Sequence, residues 1–186
     1  EEIYPVNGVV PSNILFFHIR FSQPMNESIH AYKHVKIIRN DSIMELTWRQ
    51  KSFWLDDGRV LVLMIHPGRV KRGIDYMSEN GDLFIEGTPF EIMVESGIED
   101  VHGRPIKKEF RKSFEVTGVD RVIPRITYEE FKLPTQNLPF FIFGFSESMN
   151  YASIIDGVKI YDSEGAEVKG KIREIDDKTY QFIIDA

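Results

Sequence analysis

Hydrophobic and polar positions alternate along much of this chain, in short stretches separated by turn signals. Leu15, Phe17, Ile19 and Phe21 occupy every second position, which predicts a half-buried strand with these four side chains in a core. Val60 to His66 is β-branched and aliphatic until Pro67-Gly68 stops it, and Phe90-Glu91-Ile92-Met93-Val94 is another short run. Gly97 and Asp100-Val101-His102-Gly103 supply a turn before the closing strand of Phe110, Phe114 and Val116. Only residues 26–34 read as helical. Short strands with regular turns and no long amphipathic helix predict an all-β sandwich. The strand pattern lapses between Thr117 and Pro124, which places a domain boundary between residues 1–118 and 119–186.

The pattern also repeats. Phe21-Ser22-Gln23-Pro24-Met25-Asn26 is echoed by Phe145-Ser146-Glu147-Ser148-Met149-Asn150, and the strand before it by Pro139, Phe141, Phe143 and Phe145. Val35-Lys36-Ile37 returns as Val158-Lys159-Ile160, and Leu55-Asp56-Asp57 as Ile175-Asp176-Asp177, all in the same order. Alignment of the two copies sets Ala186 opposite His66, so residues 67–116 have no counterpart and the second sandwich is expected to be incomplete. Its apolar positions Phe141, Phe143, Val158, Ile160 and Phe182 then have too little to pack against within the unit, and are expected to be buried in a partner copy or against the first unit, or to lose order.

These residues resemble the bacterial immunoglobulin-like domains of surface-layer and other exported proteins. Val10-Pro11-Ser12-Asn13 opens the unit and Phe21-Ser22-Gln23-Pro24-Met25 ends a strand. Gly97-Ile98-Glu99-Asp100-Val101-His102-Gly103-Arg104 supplies the late turn, with Arg104 in place of the usual Asn, and Ser148 replaces Pro in the second copy. The segment Pro67 to Gly73 is similar to one in a subgroup of bacterial proteins with such domains. The resemblance implies tandem immunoglobulin-like β-sandwiches and a noncatalytic structural or adhesive module, acting as spacer or docking surface. It also implies an exported location: periplasmic, cell-surface or extracellular. The matched motifs shape turns and name no ligand.

Composition narrows the function classes. With 42% hydrophobic and 28% charged residues the chain is that of a globular protein. Its net charge of −6 argues against nucleic acid as a partner. The longest apolar run, Val60 to Ile65, is far short of the roughly 20 residues of a transmembrane helix. Glu1-Glu2 opens without a basic, apolar leader, so a signal peptide is expected to have been removed or never to have existed. With no cysteine there is neither disulfide nor thiolate chemistry.

Candidate chemistry is sparse. No nucleophile elbow, phosphate loop or dinucleotide fingerprint occurs, so no catalytic residue and no cofactor is assigned. The carboxylate pairs Glu99-Asp100 and Asp56-Asp57 are turn neighbours. His30 and His34 have ligand spacing, but Ala31 stands where a zinc protease has Glu, and no metal is assigned. The acidic loop Asp75 to Glu86 fails the EF-hand pattern at Met77 and Asn80. The alternative to a spacer is a module binding glycan or another anionic polymer at a cell surface. Its aromatic cluster would be Trp48, Phe53 and Trp54, and its basic loop Arg69, Lys71 and Arg72, extended by Lys107, Lys108, Arg111 and Lys112.

Overall fold

The computed structural model describes residues 2–69, 81–132, 140–149, 151–176 and 178–185. The chain divides into two compact units, the first of Glu1–Tyr4 and Gly8–Asp120, the second of Pro5–Asn7 and Arg121–Ala186.

In unit 1 the alternating runs become β1 (Glu2–Tyr4), β2 (Val9–Pro11), β3 (Phe16–Arg20), β4 (Val35–Arg39), β5 (Ser42–Ile43), β6 (Phe53–Leu55), β7 (Val60–Met64), β8 (Phe90–Val94) and β9 (Phe110–Thr117). They form a four-stranded sheet, β1-β3-β7-β6, and a five-stranded sheet, β2-β9-β8-β4-β5. Every pairing is antiparallel except that of β2 with β9. These orders, A-B-E-D on one sheet and G-F-C on the other, are those of an immunoglobulin-type sandwich. The opening strand is divided, β1 joining one sheet and β2 the other. Gly8 serves that switch: its φ is 71°, and a Cβ there would lie 3.2 Å from the Ser113 carbonyl oxygen.

Period-2 alternation carries the core. Phe17, Ile19 and Phe21 are buried from the first sheet, and Val35, Ile37, Phe90, Ile92, Val94, Phe114 and Val116 from the second. Phe17 is the hub, with ring centroids 5.4 Å from Phe114, 5.9 Å from Phe84 and Phe90, and 6.0 Å from Trp48. Leu15 corrects the alternation, being 46% exposed. It precedes β3, and the inward orientation holds only where the pleat exists. Instead its carbonyl accepts the Ile65 N–H at 2.9 Å. Residues 26–34 are likewise less helical than expected. Asn26 Oδ1 accepts the Ser28 N–H and hydroxyl, an Asx turn that competes with helix, and only Ala31–His34 forms a 3-10 turn.

Unit 2 contains β10 (Ile126–Lys132), β11 (Phe140–Phe145), the helix α1 (Tyr151–Gly157), β12 (Gly170–Glu174) and β13 (Thr179–Ile184). Its strands form one antiparallel sheet, β10-β11-β13-β12, and no second sheet occurs among the described residues. Phe141, Phe143 and Phe182 are 8%, 4% and 4% exposed. Phe141 stacks on Phe182 at 5.1 Å and Phe143 on Tyr180 at 5.8 Å, while Tyr151 and Ile154 of α1 are buried as well. Val158 and Ile160 are half-buried. Gly170 permits this packing, since a Cβ there would collide with the Phe182 ring and the Ile183 carbonyl. No helix among the described residues is long and apolar enough to cross a membrane, which says nothing of crossing by strands.

Candidate functional site

The strand-ending motif and the late turn meet at one end of unit 1. Met25 and Asp100 form an antiparallel bridge, the Asn26 N–H donates to the Glu99 carbonyl at 2.9 Å, and the Val101 N–H to the Pro24 carbonyl at 3.3 Å. Asp100, 7% exposed, organises the turn. Its Oδ1 accepts the N–H groups of His102 at 2.8 Å and Arg104 at 2.9 Å, and its Oδ2 accepts Arg104 Nε at 2.7 Å. The backbone N–H of Arg104 leads in lowering the carboxyl to about 2, against the opposing effect of burial. The Arg104 guanidinium and the His102 N–H add to the same effect. Arg104 also donates to Gln23 Oε1 at 2.8 Å, so the residue standing where the resembling family has Asn ties the two turns together.

Beside this junction is a groove of about 570 Å³. Phe21, Met25 and Phe110 supply apolar lining, and Arg104, Lys107 and Lys108 the cations. Glu109 also lines it, but its carboxylate is held by Arg111 at 3.0 Å.

Of the proposed ligand residues that are described, Trp48 and Arg69 are buried and Phe53 and Trp54 half-buried. Trp48 is 5% exposed, and its Nε1 donates to the Val35 carbonyl at 2.8 Å, so it pins the core to β4. Phe53 is half-buried with Lys51 Nζ 4.9 Å above its ring. Trp54 is half-buried against Phe21, with centroids 5.9 Å apart, and its Nε1 has no hydrogen-bond partner among the described residues. Arg69 is buried and donates to the carbonyls of Glu45 at 2.7 Å and Gly81 at 3.2 Å. It holds loops together, as Arg39 does through the carbonyls of Asp82 and Leu83. Lys71 and Arg72 lie outside the described residues, as does the acidic loop from Asp75 to Asn80. Of the remaining cations, Lys112 donates to the Ile3 carbonyl at 2.6 Å, and Arg111 also faces Glu91 at 3.6 Å.

His30 and His34 diverge. His34 approaches Glu95 at 3.7 Å and abuts Gly97, where a Cβ would come within 2.8 Å of its ring, whereas His30 faces Tyr32. Among the described residues no group of three or more His, Asp or Glu is placed to hold a metal. Asp56 and Asp57 sit in the β6–β7 turn, both with φ of 51°, and Asp56 meets Arg20 at 3.7 Å.

His18, well inside a strand by sequence, is buried in the structure. It lies on β3 between the inward Phe17 and Ile19, with Tyr4 and Val62 as cross-strand neighbours, and is 3% exposed. Burial pushes its imidazole down to about 4, and its Nε2 has no hydrogen-bond partner among the described residues. The signal was a titratable residue in a strand whose two neighbours are both core residues.

No family model matches the chain. No curated protein matches it either. Among solved structures, the S-layer protein rSbsC(31-844) aligns over 98% of this chain and 21% of its own, at 14% identity and a TM-score of 0.43. The N-terminal part of the bacterial S-layer protein SbsC aligns over 98% and 36%, at 15% identity and a TM-score of 0.42. Native alpha-2-macroglobulin from Escherichia coli spanning domains MG0-NIE-MG1 aligns over 89% and 54%, at 8% identity and a TM-score of 0.37. The chain therefore spans only part of each of these proteins.

Proposed function

We propose that this chain is a noncatalytic structural or adhesive module of an exported bacterial protein, acting as a spacer or docking surface. The observation that carries this reading is the junction of the two motif turns. Arg104 bonds both Asp100 and Gln23, and the backbone joins Met25 to Asp100, Asn26 to Glu99 and Val101 to Pro24. Side chains so engaged fix a turn and are not free to bind or turn over a substrate. Trp48 and Arg69 are spent in the same way on backbone carbonyls.

The groove supports a second reading, a module that binds an anionic polymer such as an acidic glycan. Lys107 and Lys108 offer cations over an apolar floor, and Phe21 links that floor to Trp54. Tryptophan fluorescence during titration with neutral and acidic polysaccharides separates the two readings. A saturable shift with acidic chains, lost in the Lys107→Ala/Lys108→Ala double variant, establishes polymer binding. An unchanged spectrum throughout leaves the spacer.

A further inference from the structure

Unit 1 carries complementary surfaces on opposite sides of its larger sheet. β5 forms one edge of that sheet, and β9 lies toward the other, with β4 and β8 between them. β2 pairs only with Glu115 to Thr117 of β9, so the start of β9, beside the groove, has no neighbouring strand on that side among the described residues. There Lys107 and Lys108 are exposed and without an ion pair among the described residues, next to the half-buried Ile106 and Phe110. The two carboxylates of the groove are already engaged, Asp100 by Arg104 and Glu109 by Arg111. Its unpaired charge is therefore positive.

The β5 edge has the reverse charge. Ile43 and Leu46 are 51% and 47% exposed, and Asp41 and Glu45 are exposed carboxylates with no ion pair among the described residues. The nearby cations are directed elsewhere, Arg39 to the carbonyls of Asp82 and Leu83 and Lys36 to that of Lys33. The backbone of this edge is held in place: the Met44 N–H donates to the Ile37 carbonyl at 2.8 Å, and Arg69 Nη2 to the Glu45 carbonyl at 2.7 Å. Leu46 has a φ of 51°, a left-handed conformation that is unfavourable for leucine. Its side chain is not buried within unit 1, so packing there does not explain the strain. An exposed apolar residue held in a strained backbone points to a contact made outside the unit.

We infer that the β5 edge of one copy of this chain docks on the start of β9 in a second copy, Ile43 and Leu46 meeting Ile106 and Phe110 while Asp41 and Glu45 meet Lys107 and Lys108. Charge complementarity sets the register of such a contact, and its apolar centre excludes water. The two surfaces differ and lie on opposite sides of the sheet, so the contact is heterologous and adds copies edge to edge. The patch is small beside a standard interface, which makes each contact weak and sensitive to salt. The inference rests on the docking-surface reading and names its partner; polymer binding would compete for the same two lysines.

The test mixes the whole chain with an isotope-labelled form of itself and joins touching carboxylates and amines with a zero-length carbodiimide. Linked peptides should pair labelled with unlabelled chains and connect Lys107 or Lys108 to Asp41 or Glu45. In sedimentation the mass should rise with protein concentration and fall with added salt. The Lys107→Glu/Lys108→Glu chain and the Asp41→Asn/Glu45→Lys chain should each stay monomeric, while an equal mixture of the two regains association. Leu46→Asn, which suits a positive φ, should weaken association by about tenfold without lowering the urea midpoint. The inference is overturned by a monomer at every concentration, by links confined within single chains, by interchain links through other carboxylates alone, by a mixture that stays monomeric, or by undiminished association of the Leu46→Asn chain. A monomeric chain in which an acidic polysaccharide shields Lys107 and Lys108 from acetylation also overturns it, and assigns the groove to the polymer.

Discussion

Unit 1 closes its core between two sheets, whereas unit 2 holds its aromatic residues on one. The same device, alternate Phe residues on a strand, serves both: Phe17 on β3 and Phe143 on β11 are each almost fully buried. In unit 1 the neighbours of Phe17 come from across the sandwich, Phe90 and Phe114 among them. In unit 2 the neighbours of Phe143 come from its own strand and the adjacent one, Phe141, Phe145 and Tyr180. The difference teaches that an alternating strand specifies which residues turn inward and leaves open what meets them. Val158-Lys159-Ile160 makes the same point, because the sequence that forms β4 in unit 1 leads in unit 2 only to the bridge of Tyr161 with Glu167 among the described residues.

The strongest way to break the comparison is to empty the hub of unit 1. Phe17→Ala should cost about 3–5 kcal/mol in urea unfolding, since four rings converge on that side chain. The exchange protection of β11 and β13 should survive it. If both units lose protection together, they fold as one and the contrast fails.

A second test uses pH. Folded His18 accepts a proton only near pH 4, against 6.5 for the unfolded chain. Its contribution to unit 1 is therefore intact above pH 6.5 and drains away as pH falls toward 4, by about 3 kcal/mol in all. His18→Leu should remove that slope, and stability curves of both proteins between pH 7 and 4 would reveal it as their difference. Parallel curves would refute it.

The smallest expected effect compares two aspartates. Asp162 Oδ1 accepts the N–H groups of Glu164 and Ala166, both at 2.9 Å, the same arrangement that Asp100 makes with His102 and Arg104. Asp100 is withdrawn from solvent and adds the Arg104 guanidinium, while Asp162 is exposed. Asp100→Ala should lower the urea midpoint of unit 1 by more than Asp162→Ala lowers that of unit 2. Because the Asp100 carboxyl is held near 2, its contribution is present above the ordinary carboxylate range and is lost only as pH falls through about 2. Equal losses from the two variants at neutral pH would show that burial and Arg104 add nothing to the turn.

The core was legible wherever the cause was local. Phe17, Ile19, Phe21 and the β8 run follow from period 2, and the Asp100 turn from its Asp and Gly. The site was less so, because its residues act through distant partners. Nothing local distinguishes Trp48, whose indole reaches Val35, from an exposed aromatic, or Arg69, which clasps two loops, from a surface cation. Arg104 was noticed as a departure from the family pattern, but its bond to Gln23 depends on the fold bringing the turns together. The division of the opening strand has the same origin, as it is visible only once β9 is there to receive β2.

That division has a mechanical consequence. β2 lies near the start of unit 1 and β9 at its end, and they run side by side in the same direction, Val9 beside Glu115 and Pro11 beside Thr117. The chain enters this pair at one end and leaves it at the other. Tension along the backbone therefore pulls the two strands lengthwise past each other. The contacts between Gly8 and Glu115 and between Ser12 and Thr117 then share the load, where a hairpin would release its bonds one after another. A unit stitched in this way resists stretching out of proportion to its thermodynamic stability.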